Sequence, residues 1–230
     1  MNVLIACEES QRVCISFRER GHNAFSCDIQ ECSGGRPEWH IMGDVLQYLN
    51  PVYFMAHYAI FFQTMDGRRH EVPKWDLIIA HPPCTYLTNT GNRWFDVEKY
   101  GESAIKRKQL REIASIFFME FVNADCKKIA IENPVGYMST YYKKPDQIIQ
   151  PFQFGEPYSK KTCIWLKGLP PLIPTQLVEI DKSDYYEYRT KDGRIKHDQK
   201  SRCRGKKSEW AKLRSKTFWG IAQAMAEQWG

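Results

Sequence analysis

The sequence predicts an α/β fold: a doubly wound, mostly parallel sheet with a small basic insertion. Three observations carry this. Short runs that are apolar throughout, NVLIA at Asn2–Ala6 and WDLIIA at Trp75–Ala80, have the composition of strands buried on both faces. Longer amphipathic segments separate them, as crossover helices separate parallel strands. A length of 230 residues with 43% hydrophobic content is enough for one domain with a sizeable core.

The elements follow in order. Asn2–Ala6 is a strand. Ser10–Arg20 is a helix that stops at Gly21, and Asn23–Cys27 is the next strand. Ile41-Met42 is a short third strand. Leu46–Phe62 is expected to be helical, interrupted at Pro51. Trp75–Ala80 is a strand. Glu102–Asn123 is a long helix, with apolar residues at Ile105, Leu110, Ile113, Ile116, Phe117 and Phe121. Lys128–Ile131 and Thr162–Leu166 are strands, and a Pro-rich stretch, KGLPPLIPT, follows the second. Tyr185–His197 forms a hairpin around Asp192-Gly193, and Trp210–Trp229 closes the chain as a helix. These elements imply a catalytic and cofactor-binding unit over 1–166, a short basic insertion over 167–209 and a returning helix over 210–230.

Charge and cysteine content exclude several classes. The chain carries 33 Lys plus Arg against 27 Asp plus Glu. Thirteen of the basic residues and five of the acidic ones fall between Lys182 and Lys216, so the basic excess is confined to one late segment. Clustered Lys and Arg there suit a patch that contacts nucleic-acid phosphates, because they release its counterions; a solvated surface loop is the plainer reading. No apolar stretch approaches the ~20 residues of a membrane span. The start, MNVLIACEES, has no basic n-region, and a cytoplasmic setting is expected. No two of the eight cysteines form a C-x-x-C pair, so neither a zinc site nor a disulfide framework is expected.

In open α/β sheets, ligands sit at the carboxyl ends of the strands. After the first strand stands Cys7-Glu8-Glu9-Ser10. The second ends at Asp28, and the third runs into Gly43-Asp44-Val45. A carboxylate after the second strand suits a ribose diol. One after the third suits an exocyclic amine. Their plain alternatives are a loop residue and a helix cap. After the fourth come His81-Pro82-Pro83-Cys84-Thr85, and after the fifth Glu132-Asn133-Pro134. Neighbouring strand ends therefore offer a thiol and a carboxyl group to one cleft, a working pair for covalent catalysis on a ring. Each alone has a structural alternative, a buried small thiol or a structural hydrogen bond.

With these segments in this order, the chain resembles the DNA cytosine-5 methyltransferases of the compact kind found in phages and prophages. DLIIAHPPCT (76–85) resembles the family's catalytic Pro-Cys segment, Glu132-Asn133-Pro134 its Glu-Asn-Val segment, and Gly43-Asp44-Val45 its third cofactor motif. YSKKTCIWL (158–166) resembles the Arg-rich strand motif, and RSKTFWGIAQAMA (214–226) the final motif, whose chain returns to the cofactor pocket. The sequence departs from the family at four points. The first motif, a Phe-x-Gly-x-Gly turn, is replaced by the glycine-free Ala6-Cys7-Glu8-Glu9-Ser10. The Arg-x-Arg pair falls on Lys161 and Cys163. Asn-Val becomes Asn133-Pro134. The target-recognition region shrinks to the basic insertion, which implies a short or relaxed recognition sequence or a specificity partner.

The resemblance implies a Rossmann-like class I fold and S-adenosylmethionine as cofactor. Ala6, Cys7, Glu8, Ser10, Asp28, Ile29, Asp44, Val45 and Pro82 would hold that cofactor. Cys84 would attack carbon 6 of cytosine, and Glu132 would bind or protonate ring nitrogen 3. Carbon 5 would then take the methyl group. Pro83, Asn133, Lys161, Arg202, Arg204, Lys206 and Lys207 would contact a DNA substrate whose target base is flipped out or single-stranded. The segment after Cys84, Tyr86–Gly101, would close over the base. Three other readings stay open at this point. One is an amino-methyltransferase, which carries a Pro-Pro-aromatic segment at the same strand end. The others are an enzyme acting on a free pyrimidine nucleotide and a non-catalytic DNA-binding protein.

Overall fold

The computed structural model describes residues 1–54, 57–181, 185–190, 192–199 and 215–230. Twelve strands are described: β1 (Asn2–Ala6), β2 (Asn23–Asp28), β3 (His40–Met42), β4 (Val52–Phe54), β5 (His57–Gln63), β6 (Arg69–Val72), β7 (Leu77–Ala80), β8 (Ile129–Pro134), β9 (Gln147–Ile149), β10 (Thr162–Lys167), β11 (Tyr185–Arg189) and β12 (Ile195–Gln199). The described α-helices are α1 (Arg12–Glu19), α2 (Val97–Tyr100), α3 (Glu102–Asn123), α4 (Met138–Tyr141) and α5 (Trp219–Trp229). Seven strands form the main sheet in the order β3-β2-β1-β7-β8-β10-β9. β3, β2, β1, β7 and β8 run parallel, and β10 runs antiparallel to both β8 and β9. The arrangement is α/β, mostly parallel and compatible with a Rossmann-like fold.

The order creates a switch point. From β1 the chain steps outward through β2 to β3, and then returns to the other side of β1 for β7 and β8. The loops leaving β1 and β7 therefore diverge, and a crevice opens between their carboxyl ends.

Both faces of the sheet are covered, which is why its strands are apolar throughout. Successive residues of a strand point to opposite faces. Leu4, Ala6, Ile78, Ala80, Ile129 and Ile131 face one core, with Phe118 and Phe121 of α3 and Ile60 and Phe62 of β5. Val3, Ile5, Leu77, Ile79 and Ala130 face the other, with Phe17 of α1 and Ile221, Met225 and Trp229 of α5.

The expected helix over Leu46–Phe62 is not formed. One 3-10 turn, Val45–Tyr48, gives way to an antiparallel sheet of β4, β5 and β6. The run is rich in β-branched and aromatic residues, which pack well on a pleated surface. β5 buries Ile60 and Phe62 on one side and exposes Gln63 on the other. A tight turn with Gly67 at φ 86 returns the chain to β6. The long helix lies where the pattern placed it, but it turns a different stripe inward. Ala104, Ser115, Phe118 and Phe121 are buried, whereas Ile105, Ile113 and Ile116 are exposed. The hairpin around Asp192-Gly193 is present as β11 and β12. The last helix begins at Trp219, not Trp210. Lys216–Phe218 precede it as irregular chain, and 210–214 lie outside the described residues. No described helix is long and apolar enough to cross a membrane.

Candidate active site

The crevice at the switch point is a cleft of about 500 Å³. Cys7, Glu8, Glu9 and Ser10 line it from the loop after β1, and Asp28 and Gln30 from the end of β2. His81, Pro82, Pro83, Cys84, Thr85 and Thr88 enter after β7, and Glu132, Asn133 and Pro134 from the end of β8. Lys160 and the Ser215–Thr217 stretch close it. The volume is in the range of small-molecule sites.

The β1–α1 turn solves without glycine a problem that usually needs it. Cys7 and Gln11 both sit at φ 59, in the left-handed region that costs a residue with a Cβ about 1–2 kcal/mol. Side chains offset the strain. Gln11 is fully buried; its amide donates to the Arg36 carbonyl at 2.9 Å and accepts from the Arg36 amide at 3.0 Å. Glu8 turns inward, and its carboxylate accepts from the Val13 and Cys14 amides at 2.7 and 3.2 Å. It thereby caps α1, whose first N–H groups have no partner within the helix. Burial pushes the Glu8 carboxyl above the usual carboxylate range, against His81 and the two amides.

Cys84 and Glu132 approach each other because β7 and β8 are adjacent and parallel, with Ala80 level with Ile131. Glu132 lies near the end of β8 itself, and Cys84 follows β7 by a short turn. Asn133 fixes that turn: its buried amide donates to the Pro82 carbonyl at 2.8 Å. The Leu87 and Thr88 amides donate to the Cys84 carbonyl at 2.9 and 3.0 Å.

Glu132 has the most elaborate surroundings. Burial alone would raise its carboxyl, but His81, Lys160 and Thr162 outweigh it and hold the group below the usual range. His81 Nδ1 stands 3.3 Å from Glu132 Oε2. An ionised carboxylate only accepts, so Nδ1 carries the hydrogen. The other ring nitrogen, Nε2, is buried with no partner among the described residues. Cys84 is exposed, yet its thiol is raised above its ordinary value, first by partial desolvation and then by the Glu132 charge, with Lys160 opposing. Cys7 is raised well above it by burial, with Asp28, Cys27 and Asp44 adding to the effect.

Of the residues singled out in the sequence, Cys7, Glu8, Ser10, Asp28, Pro82, Pro83, Cys84, Glu132 and Asn133 come together in the cleft. Ala6 and Val45 are buried in the core. Asp44 is exposed and caps the turn at Leu46. Ile29 is 79% exposed beside Asp28. Lys161 is exposed and is not among the lining residues, whereas its neighbour Lys160 is. Arg202, Arg204, Lys206 and Lys207 lie outside the described residues.

Sequence reasoning missed Glu9, His81, Lys160, Thr162 and Lys216. His81 was visible as a titratable side chain three residues before Cys84. Lys160 and Lys161 were indistinguishable until the register of β10 was known, since a one-residue shift exchanges the faces. The Tyr86–Gly101 segment is pinned to α3: Arg111 Nε donates to the Tyr86 carbonyl at 3.0 Å, and Arg107 to the Thr85 carbonyl at 3.2 Å.

No protein-family model matches the chain, and no curated protein matches it. The chemistry therefore follows from the cleft's own groups. A thiol and a hydrogen-bonded carboxylate stand at neighbouring strand ends, with a half-buried lysine and histidine around them.

Proposed function

We propose that the chain transfers a methyl group from S-adenosylmethionine to carbon 5 of cytosine in DNA, through a covalent adduct on Cys84. One observation carries the reading. Cys84 and Glu132 lie in the expected chain order on adjacent parallel strands and line a single cleft at the switch point.

The residues of the cleft fit the cofactor. Asp28 ends β2 half-buried, with carboxylate oxygen left for a ribose diol beyond its bond to the Gln30 amide. Ile29, outside the cleft lining, offers an exposed apolar face beside Asp28 for a purine ring. Glu9 presents buried carboxylate oxygens without hydrogen-bond partners among the described residues, which suit a cationic ligand. When bound, S-adenosylmethionine supplies an electrophilic methyl group.

The chain's own residues manage the protons. In the resting protein Glu132 is ionised and Cys84 is a thiol. Each state favours the other, because the carboxylate charge disfavours a second anion nearby. A cytosine placed between them couples the two. Cys84 sulfur adds to carbon 6, and the thiol proton passes through Glu132 to ring nitrogen 3. The ring then carries the electron pair at carbon 5, which would take the methyl group. Return of the nitrogen 3 proton to Glu132, loss of the carbon 5 proton to a base and expulsion of the Cys84 thiolate from carbon 6 would restore the ring and the free enzyme. His81 and Thr162 hold the carboxylate in one orientation during this exchange, and Lys160 stabilises the thiolate. A stacked base hides carbon 6, so the target must be flipped or single-stranded, at a cost of about a few kcal/mol.

A second groove supports a nucleic-acid substrate. It adjoins the segment after Cys84, and Tyr86, Trp94, Arg93, Lys106 and Arg107 line it. Cations interleaved with aromatic rings suit phosphates and unstacked bases.

The test uses cytosine-containing DNA and methyl-labelled S-adenosylmethionine, with wild type and Cys84→Ala compared. Label in 5-methylcytosine, lost in the variant, is expected. Label in an N-methylated base and retained in the variant would overturn carbon 5 in favour of amino-group methylation. With free cytidine nucleotide supplied in a parallel reaction, label on the nucleotide but not on DNA would overturn the DNA substrate.

A further inference from the structure

The turn after β1 directs two consecutive carboxylates in opposite directions. Glu8 goes inward and satisfies the first amides of α1. Glu9 lines the cleft, and its side chain is 11% exposed. Neither Glu9 carboxylate oxygen has a hydrogen-bond partner among the described residues. The nearest cation among the described residues is Lys216, whose Nζ lies 3.9 Å from Glu9 Oε1, beyond hydrogen-bonding distance. Lys216 spends one N–H on Ser33 Oγ at 2.8 Å and also lines the cleft.

A buried carboxylate with no donor is costly, and native proteins keep such groups where something else satisfies them. The Glu9–Lys216 pair is held open, with lone pairs on one side and N–H donors on the other. The complementary ligand group carries an ammonium and a carboxylate close together. An α-amino-acid end is such a group. Its carboxylate cannot use the Val13 and Cys14 amides, because Glu8 already occupies them, which leaves Lys216.

We propose that Glu9 and Lys216 form a receptor for the α-amino-acid end of the cleft's ligand, in place of a glycine-rich backbone turn. The inference rests on the reading that an S-adenosyl amino acid binds in this cleft. Glu9 accepts from the ligand ammonium, and Lys216 donates to its carboxylate.

Calorimetric titration with two probes separates the inference from the reading beneath it. S-adenosylhomocysteine carries the amino-acid end, and 5′-methylthioadenosine lacks it. In Glu9→Gln and Lys216→Met, affinity for S-adenosylhomocysteine should fall about ten- to hundredfold, the loss expected for a charge-assisted hydrogen bond. Affinity for methylthioadenosine should stay within about twofold, since no lost contact involves it. Glu9→Gln should also raise the thermal midpoint of the free protein, because it removes an unsatisfied buried charge. A merely structural ion pair would lower that midpoint. Equal weakening for both probes, or no weakening for either, would overturn the receptor while leaving the cleft's ligand in place. A wild type that binds neither probe would overturn both.

Discussion

Gly136→Ala tests whether the two halves of the site are held together by backbone contact. Gly136 follows the Glu132-Asn133 strand end, and a Cβ there would lie 2.0 Å from the Leu87 carbonyl oxygen and 3.0 Å from Thr88 Cα. Both obstacles are backbone, so no rotamer change relieves them. The contact must open by about 1 Å to reach even the tightest distances that Cβ atoms tolerate. The cost combines overpacking, about 1–3 kcal/mol, with loss of the Tyr137 N–H bond to the Leu87 carbonyl, about 1 kcal/mol. The total of about 2–4 kcal/mol predicts a thermal midpoint lower by about 4–16 °C. The displacement also reaches Cys84, whose carbonyl accepts from Leu87 and Thr88. Moving Cys84 away from Glu132 removes one cause of its raised thiol. Alkylation of Cys84 at neutral pH, followed by peptide mass spectrometry, should therefore become faster. The methyl transfer proposed above should fall about a hundredfold, as expected for a 1 Å misplacement. Gly21→Ala is the control: it meets nothing within 4 Å and costs only its left-handed backbone at φ 80. A Gly136→Ala midpoint within about 2 °C of wild type, with unchanged Cys84 alkylation, would refute the contact.

Three further predictions follow from the same geometry. Glu132 is held below the usual carboxylate range, so it stabilises the fold fully above that range and loses this as pH falls through its lowered value. Denaturant titrations across acid pH should show the stability gap between wild type and Glu132→Gln narrowing on acidification; a widening gap would contradict the assignment. Asn133→Asp places a carboxylate against the Pro82 carbonyl in a buried site and should cost about 3–5 kcal/mol at neutral pH, recovering as the new carboxyl is protonated. Urea unfolding at two pH values checks it, and a pH-independent cost would show that charge is not the cause. Gly220→Ala would drive a Cβ to 1.7 Å from the Phe154 carbonyl oxygen in the first turn of α5. A loss of about 3 kcal/mol or more is expected by thermal unfolding, and a neutral effect would mean that α5 is not seated as described.

The strands and most of the site were legible in the sequence because their signals are local. A strand buried on both faces must be apolar throughout, so Asn2–Ala6 and Trp75–Ala80 stood out whatever surrounded them. The groups that follow such strands are named by position alone, so Cys84, Glu132, Asp28 and Glu8 could be assigned to one end of the sheet. Local signals fail where two periodicities compete. Leu46–Phe62 is apolar and aromatic enough for either helix or strand, and its pairing with Arg69–Val72 decides the matter. The same limit explains α3: its composition announced a helix, but only the docking of Phe118 and Phe121 selects the inward stripe and leaves Ile113 and Ile116 exposed.

Residue type and strand pattern alone name the groups capable of chemistry and the end of the sheet at which they stand. The tertiary structure decided their partners. Nothing in CEESQ separates Glu8 from Glu9, yet one caps α1 and the other lines the cleft unsatisfied. Nothing in KK separates Lys160 from Lys161, yet one stands near Cys84 and Glu132 while the other is not in the cleft. The reason is physical. Chain position fixes where a side chain starts, whereas direction, burial and neighbouring charge depend on strand register and on segments far away in the sequence.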